Sequence, residues 1–505
     1  MYHFKYIQKE TLPKLAWLAE ASESSPEITV YCGTAVERFD EFFVSGAWDG
    51  DFFEAGFDKS ELFCGTGAKL TENGVLFATP SHALERLVMV EEAERTVVSN
   101  SVPFLLSYLD YAPDRRITQY EQIFCSVLDG PQDMTANIPM ADGKSFRQVI
   151  VSSIEIDLEG NPVIVPRAPQ KPFSDFADYY ARLMKAVRTL RENSTDPRRQ
   201  HTRYGIVSTL SSGYDSSACS CIAKDLDCDT VASLTGGKYD KDCGREAALQ
   251  LGYKNIVSRD MNDYRSRGAQ LDAQYISSGE MATGLQFSVF DDVFANRLVF
   301  FGLRGSYWDK EPTMTEGFHM IGYFNCESDM SLTENALEYG YISVPLPTFG
   351  ASVCNSIFAI SKSEEMLPWS IGGKYDKPIP RRILETAGVS REAFGQKKYG
   401  GGFSLSRDNR RRLSGRMTKD GYRDFIRYVD ARRGIPWSAE RVLSLIKYLA
   451  LNLPAYMNFA FAKLRIPIFL AQKPVRMANP GIVAELFFWA TDVMKKRYAD
   501  AMAGE

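Results

Sequence analysis

Apolar and polar positions alternate with a period near two in the amino-terminal part of the chain, and further along the rhythm changes. Runs such as Glu27-Ile-Thr-Val-Tyr-Cys32 and Gly74-Val-Leu-Phe-Ala-Thr79 put every second side chain on one face, the pattern of short half-buried strands. Asp49-Gly50, Glu72-Asn73-Gly74 and Asp142-Gly143 supply turn chemistry between such runs. Residues 1–160 are therefore expected to form a β-rich domain. Pro162, Pro166, Pro169 and Pro172, with little periodicity between Glu159 and Pro172, mark the domain boundary. A helix is predicted from Phe173 to Glu192, where Phe176, Tyr179, Tyr180, Leu183, Val187 and Leu190 recur at helical spacing.

From Gly205 the pattern becomes strand, helix, strand. Gly205–Leu210, Thr230–Thr235 and the run from Asn255 read as strands, with helices at 216–225 and about Asp242–Leu251 between them. Leu298-Val-Phe-Phe-Gly302 is a later strand. This alternation predicts an α/β domain over 173–505, built on a parallel doubly wound sheet that binds ligands beyond the carboxyl ends of its strands. Beyond Lys362 the pattern turns largely helical. The hexapeptide Gly-Gly-Lys-Tyr-Asp-Lys occurs at 236–241 and again at 372–377, between different flanks.

At 505 residues the chain is long for one core, which agrees with two domains. A net charge of −5 leaves no electrostatic footprint for nucleic acid. The basic run Arg410-Arg411-Arg412 with Arg416 reads as a solvated helix face. Nine cysteines without a Cys-x-x-Cys pair, an odd count without a secretion signal, fit a reducing cytoplasm. Four histidines argue against a histidine-rich metal site. The apolar stretch Leu443–Ala462 carries Lys447, Asn452, Pro454 and Asn458, so it reads as a buried or amphipathic helix pair rather than a membrane span.

Chemistry concentrates at 205–217, Gly-Ile-Val-Ser-Thr-Leu-Ser-Ser-Gly-Tyr-Asp-Ser-Ser. A strand ends in small hydroxyl and glycine residues, and a helix begins. Backbone N–H groups and the helix dipole make such a junction an anion site, with serine hydroxyls as added donors. Gly213 lets backbone approach closely, and Asp215 suits a magnesium ion carried in by phosphates. The competing reading is an ordinary Ser/Gly-rich turn.

The run resembles the Ser-Gly-Gly-x-Asp-Ser loop of the ATP pyrophosphatase superfamily, and its double serine resembles the asparagine synthetase branch. Ser212 stands where that family has its first glycine, which implies a reshaped loop if the position needs positive φ. The resemblance implies ATP and Mg2+ as ligands, with Ser211, Ser212, Gly213, Asp215 and Ser216 at the phosphates. Ser233-Leu-Thr-Gly236 followed by Arg245-Glu-Ala-Ala-Leu-Gln-Leu-Gly252 extends it and places Leu234 near the adenine, against the plainer reading of a core leucine.

Val299-Phe-Phe-Gly-Leu-Arg-Gly-Ser-Tyr-Trp-Asp309 resembles the family's Gly-x-Gly-x-Asp-Glu segment, remodelled. Gly302 and Gly305 fit the loop. Leu303 or Arg304 stands at the family's catalytic position, and Ser306 or Asp309 at the second metal carboxylate. Arg304 is a candidate for neutralising pyrophosphate or a surface arginine, and Tyr307 a candidate proton-transfer group. Phe394-Gly-Gln-Lys-Lys-Tyr-Gly-Gly-Gly-Phe403 resembles the family's late lysine segment, which assigns Lys397, or alternatively Lys398, to the developing charge of adenylation. Glu280 is a lesser candidate for recognising an amine.

His82-Ala-Leu-Glu-Arg-Leu87 with Val97-Val-Ser-Asn-Ser-Val-Pro-Phe-Leu-Leu106 resembles the second half of the family's glutaminase domain, an αββα fold. Residue 2 is Tyr2 and the first cysteine is Cys32, so the glutaminase nucleophile is expected to be absent and the domain degenerate. The resemblance, related to the β-lactam synthetase type, implies an AMP-forming ligase that joins small-molecule carboxylate and amine substrates without glutamine hydrolysis. An ATP-activated transferase acting on another carbonyl and a nucleotide-binding pseudoenzyme stay open beside it. A homodimer is compatible with these readings, and the sequence does not fix the oligomeric state.

Overall fold

The computed structural model describes residues 1–22, 24–129, 134–279, 283–309, 332–373, 375–397, 399, 405, 410–432, 453, 457, 458, 460, 461, 464, 466 and 480–504. Glu280, Lys398 and most of Leu443–Ala462 lie outside these residues.

The amino-terminal region is β-rich. In chain order its strands are β1 (His3–Gln8), β2 (Trp17–Ser22), β3 (Glu27–Cys32), β4 (Glu37–Arg38), β5 (Phe42–Trp48), β6 (Phe63–Thr71), β7 (Gly74–Ala78), β8 (Leu87–Glu92), β9 (Arg95–Ser99), β10 (Asn137–Pro139), β11 (Ser145–Val149), β12 (Ser152–Asp157) and β13 (Pro162–Pro166). They form two sheets, ordered β1-β3-β2-β9-β8-β11-β10 and β13-β12-β7-β6-β5-β4. Alternation does the work expected of it. Along β3, Ile28, Val30 and Cys32 turn inward and meet Phe43, Val75, Phe77 and Ile156 from the other sheet. Trp17 is the centre of this core, edge-on to Phe43 at 5.0 Å and stacked on Phe77 at 6.0 Å, with its indole N–H donated to Thr66.

The proline-rich segment read as a boundary is partly strand. Pro162 and Pro166 open and close β13, which pairs only with β12 at the sheet edge, where a missing N–H costs no ladder bond. The helix Phe176–Ser194 follows, capped by the Asp175 carboxylate on Asp178 N–H. It packs beside β5, where Asn193 donates to the Gly50 carbonyl at 2.9 Å.

The second region is a five-stranded parallel sheet, β14 (Gly205–Thr209), β15 (Thr230–Thr235), β16 (Asn255–Asp260), β17 (Arg297–Phe301) and β18 (Ile342–Pro345), in the order β16-β15-β14-β17-β18. β14 and β17 are central and almost wholly buried, which is why both read as continuous apolar runs. The chain leaves β14 in one direction for β15 and β16, and returns to its other side for β17 and β18. The crevice where that progression reverses, at the carboxyl ends of β14 and β17, is the natural ligand position in such sheets.

Later helices include Pro378–Thr386, Arg410–Arg416, Lys419–Arg432 and Pro480–Ala503. Arg411 and Arg412 are exposed while Leu413 is buried, as expected of a solvated face. Among the described residues, no helix is long and apolar enough to cross a membrane.

The start of Lys419–Arg432 rests on a buried carboxylate. Asp272, on the helix Ala269–Ile276, accepts the Thr418 N–H and hydroxyl, and the Thr418 hydroxyl caps Gly421 N–H at 2.9 Å. A side chain at Gly421 would meet Asp272 at 1.9 Å. Burial pushes the Asp272 carboxyl up to about 7, against the lowering effect of the Thr418 bonds. The folded protein thus binds this proton more tightly than the unfolded chain does. The stabilisation is complete below the ordinary carboxyl range and is lost as pH rises through about 7. Asp272→Asn should therefore gain stability relative to the parent between pH 5 and pH 8, seen as a rising difference in Tm. A difference independent of pH would show that Asp272 does not titrate in this range.

Candidate functional site

The loop leaving β14 is held by its own hydroxyls. The Ser216 hydroxyl accepts Ser211 N–H at 3.0 Å and lies 2.7 Å from the Ser211 hydroxyl. Ser211 Oγ in turn accepts Gly213 N–H at 3.1 Å, and the Ser217 hydroxyl donates to the Ser211 carbonyl at 2.8 Å. Ser212 keeps a negative φ, so its side chain brings no backbone strain. Its hydroxyl donates to Asp242 Oδ1 at 2.6 Å and its N–H to the same residue. Gly213 then caps the helix Tyr214–Lys224, whose first turn carries Asp215. A phosphate entering here would have to take over donors that the serines now share among themselves.

The loop leaving β17 presses against this helix start. A Cβ at Gly302 would lie 2.4 Å from Ser216 N, and one at Gly305 would lie 1.9 Å from the Asp215 carboxyl carbon. The first contact is with backbone, so glycine is required at 302; the second is with the Asp215 carboxyl, which could move aside only by giving up its bonds to Lys377. Between the loops lies Lys377. Its ammonium donates to Asp215 Oδ1 and Oδ2 at 2.9 and 3.0 Å and to the Gly305 carbonyl at 2.9 Å, and sits 3.2 Å from Asp309 Oδ1. Only 7% of the Lys377 side chain is exposed, against 27% for Asp215 and 22% for Asp309. Burial alone would lower the lysine pKa, but Asp215 and then Asp309 outweigh it and push it up to about 12. The ammonium is charged at neutral pH.

Of the two candidates for a second carboxylate position, Asp309 is the one that shares a cation with Asp215. These oxygen donors fit magnesium, which takes one or two carboxylates and completes its shell with phosphate oxygens and water. Among the described residues no group of three or more His, Cys, Asp or Glu side chains could hold a metal, so a bare protein cage is not available.

The other sequence candidates scatter. Arg304 sits at φ +62° with only 5% of its surface exposed. It lies close enough to His82 that its charge, with that of Arg167, adds to burial in pushing the imidazole down to about 3. Tyr307 is buried in an apolar cluster with Ala83, Cys125, Ala351 and Cys354. Leu234, the last residue but one of β15, lies in the main core. Lys397 is exposed, 5.5 Å over the Tyr399 ring. Its segment nevertheless begins at the loop, because Gly395 N–H donates to the Ser212 carbonyl at 2.7 Å. Gly395 has φ +67°, and a side chain there would strike the Tyr214 ring at 2.3 Å.

Lys377 escaped the sequence reading, although a signal was present. It closes the second copy of Gly-Gly-Lys-Tyr-Asp-Lys, and the two copies share one feature. In each, the first glycine has positive φ (Gly236 +93°, Gly372 +68°) and donates its N–H to the carboxylate four residues on, Asp240 at 2.7 Å and Asp376 at 3.1 Å. The tyrosine before Asp376, Tyr375, packs edge-on to Tyr214 at 4.9 Å, and Tyr214 is bonded to Arg381. The turn thus delivers Lys377 into the crevice.

Removing the Lys377 ammonium leaves two carboxylates facing each other. Because both are partly exposed, Lys377→Met should cost about 1–3 kcal/mol, below the figure for a fully buried pair. Millimolar Mg2+ should then raise the Tm of the variant more than that of the parent. Equal shifts in the two proteins would show that Asp215 and Asp309 do not form a cation site. No protein-family model matches the chain, and no curated protein matches it.

Proposed function

We propose that the protein is an ATP-dependent ligase that forms AMP and pyrophosphate while activating a substrate carboxylate for amide formation. In this reading the parallel sheet is an ATP pyrophosphatase domain, and the β-sandwich is a degenerate glutaminase-like αββα domain. The observation that carries it is the convergence of Asp215 and Asp309 on one buried ammonium at the crevice between β14 and β17. Paired carboxylates, a lysine and a hydroxyl-rich helix start at that crevice are the groups a metal-bound triphosphate needs.

A carboxylate oxygen of the substrate would attack the α-phosphorus as the bond to the β-phosphate breaks, giving an acyl-adenylate and pyrophosphate. The amine of a second group would then attack the acyl carbon, lose a proton and release AMP. Ser211, Ser212, Gly213 and Ser216 would receive the leaving pyrophosphate, with Gly302 keeping the second loop clear of the helix start. Asp215 and Asp309 would hold Mg2+, which supplies charge neutralisation for the phosphates. Lys377 and Lys397 would offset the charge that develops at the α-phosphate.

Glutamine is excluded as nitrogen source in this reading. Cys32, the first cysteine, lies in the sandwich core, where burial pushes its thiol up to about 11. Of the eight described cysteines, only Cys243 is not buried.

A nucleotide-binding pseudoenzyme is the second reading. It is favoured by Arg304 and Tyr307 being packed away among His82 and the Ala83 cluster.

The test is release of AMP and pyrophosphate from Mg-ATP with pooled carboxylate and amine metabolites. One-for-one release that depends on a particular acid is expected, and ATP binding without AMP from any pool would favour the pseudoenzyme. Asp215→Ala should abolish turnover with the fold intact, and unchanged turnover would remove Asp215 from the mechanism. Lys397→Ala should lower kcat by about 10- to 1000-fold with little change in the ATP KM. A large KM effect with normal kcat would reassign Lys397 to ground-state binding. Glutamate should not accumulate from glutamine.

A further inference from the structure

A second cavity lies where the sandwich, the linker and the parallel sheet meet. It is a cleft of about 580 Å3, within the range of about 300–1,000 Å3 typical of small-molecule sites. Its walls come from the loop before β6, the linker 167–172, the helix Phe176–Ser194 and the segment after β18. None of these residues belongs to the crevice at β14 and β17.

The walls are fixed by their own bonds. The Arg167 guanidinium donates to the carbonyls of Ser60, Phe57 and Thr79 at 2.9, 3.2 and 3.0 Å. Arg182 spans from the Lys171 carbonyl to Glu61, each at 2.8 Å. Gln170 N–H donates to the Ser352 hydroxyl at 3.1 Å, which pins the linker to the segment after β18. A cleft built this way is formed before any ligand arrives, so ordering it adds little to the cost of binding.

The charged side chains of the lining that lack a partner are both cationic. Both carboxylates of the lining are engaged, Glu61 with Arg182 and Asp178 with Ser174 N–H at 3.1 Å. The ammonium groups of Lys59 and Lys171 face no acidic partner among the described residues. The side-chain amide nitrogen of Gln170 is buried without an acceptor. A buried donor left unpaired costs free energy, and Gln170 lines the same cleft as the two lysines. The cleft also holds four basic side chains against two acidic ones, in a chain whose net charge is −5. The excess of cationic side chains favours an anion in the cleft.

We propose that this cleft is a binding site for a small oxyanion-bearing metabolite, a polycarboxylate or a phosphate ester, held by Lys59 and Lys171. The site is independent of the nucleotide reading of the β14 loop. It borders that loop's partner through one contact path, because Ala351 of the cleft wall packs in the same cluster as Tyr307.

Calorimetric titration of the full chain with citrate and, separately, with inorganic phosphate tests it. One saturable site is expected for at least one probe. Stronger binding of citrate identifies a carboxylate ligand, and stronger binding of phosphate a phosphorylated one. The double variant Lys59→Ala/Lys171→Ala should weaken that binding by about tenfold or more. Both lysines are exposed, so the fold should survive. Lys5→Ala, which removes a lysine outside the cleft, should leave binding unchanged, and so should Asp215→Ala, which empties the β14 loop of its carboxylate. The proposal is overturned if neither probe saturates, if the double variant binds as the parent does, or if Asp215→Ala or Lys5→Ala removes the binding.

Discussion

One ammonium group holds the crevice together. Lys377 draws Asp215, Asp309 and the Gly305 carbonyl around a single buried charge, and so fixes three segments that are far apart in the chain. Taking an ammonium out of water costs several kcal/mol unless partners replace its hydration, and here two carboxylates and a carbonyl do so. Other features follow from that arrangement. Gly302 is required because the loop after β17 comes within contact distance of the backbone at the helix start that carries Asp215, and a side chain at Gly305 would displace the Asp215 carboxyl from Lys377. The turn ahead of Lys377, closed by Asp376 on Gly372 N–H, is required because the lysine must enter from a fixed direction.

The parts legible in the sequence are those decided by local pattern. β14 and β17 announce themselves because strands buried on both faces admit almost nothing but apolar residues. The sandwich strands show through alternation, and the junction at Ser211–Asp215 shows because small hydroxyl and glycine residues end a strand just before a helix. What stayed hidden depends on distance or direction. Lys377 and Asp215 are 162 residues apart, and no pattern in one sequence reports such a pair. Arg304 and Tyr307 looked catalytic because they stand beside Gly305. At a turn with positive φ, however, a side chain's direction is set by what packs around it, and here that is the sandwich. The repeated hexapeptide was visible, but its meaning, a glycine at positive φ closed by an aspartate, is a backbone property.

The two regions are also bound more closely than a proline-rich boundary implies. Glu334, between β17 and β18, is buried and accepts from Ser101 and Tyr498 at 2.7 Å each. Tyr498 belongs to the last described helix and stacks on Phe104 at 4.7 Å. A residue of the parallel-sheet region thus joins the cap of a sandwich helix to the final helix. Burial pushes Glu334 up to about 7, so its proton is shared between folding and acidity much as that of Asp272 is.

The charge count in the crevice decides which ligand it can admit. Two carboxylates on one ammonium leave a formal charge of −1 at the point where the phosphates of a nucleotide would lie. A bare triphosphate adds negative charge to negative, and in a partly buried crevice that repulsion is screened less than it would be in water. A triphosphate carrying a divalent cation reverses the sign of the approach. Asp215 and Asp309 would hold that cation, which would supply the counter-charge they now take from Lys377, and the ammonium would be free to turn towards a phosphate oxygen. The loop serines, now bonded to one another, can exchange those bonds for phosphate oxygens at little net cost, since each hydrogen bond lost is replaced by a charge-assisted one. In the proposed reading Lys377 would hold the crevice together until a metal-bound anion arrived, and the same residue would then become part of the grip.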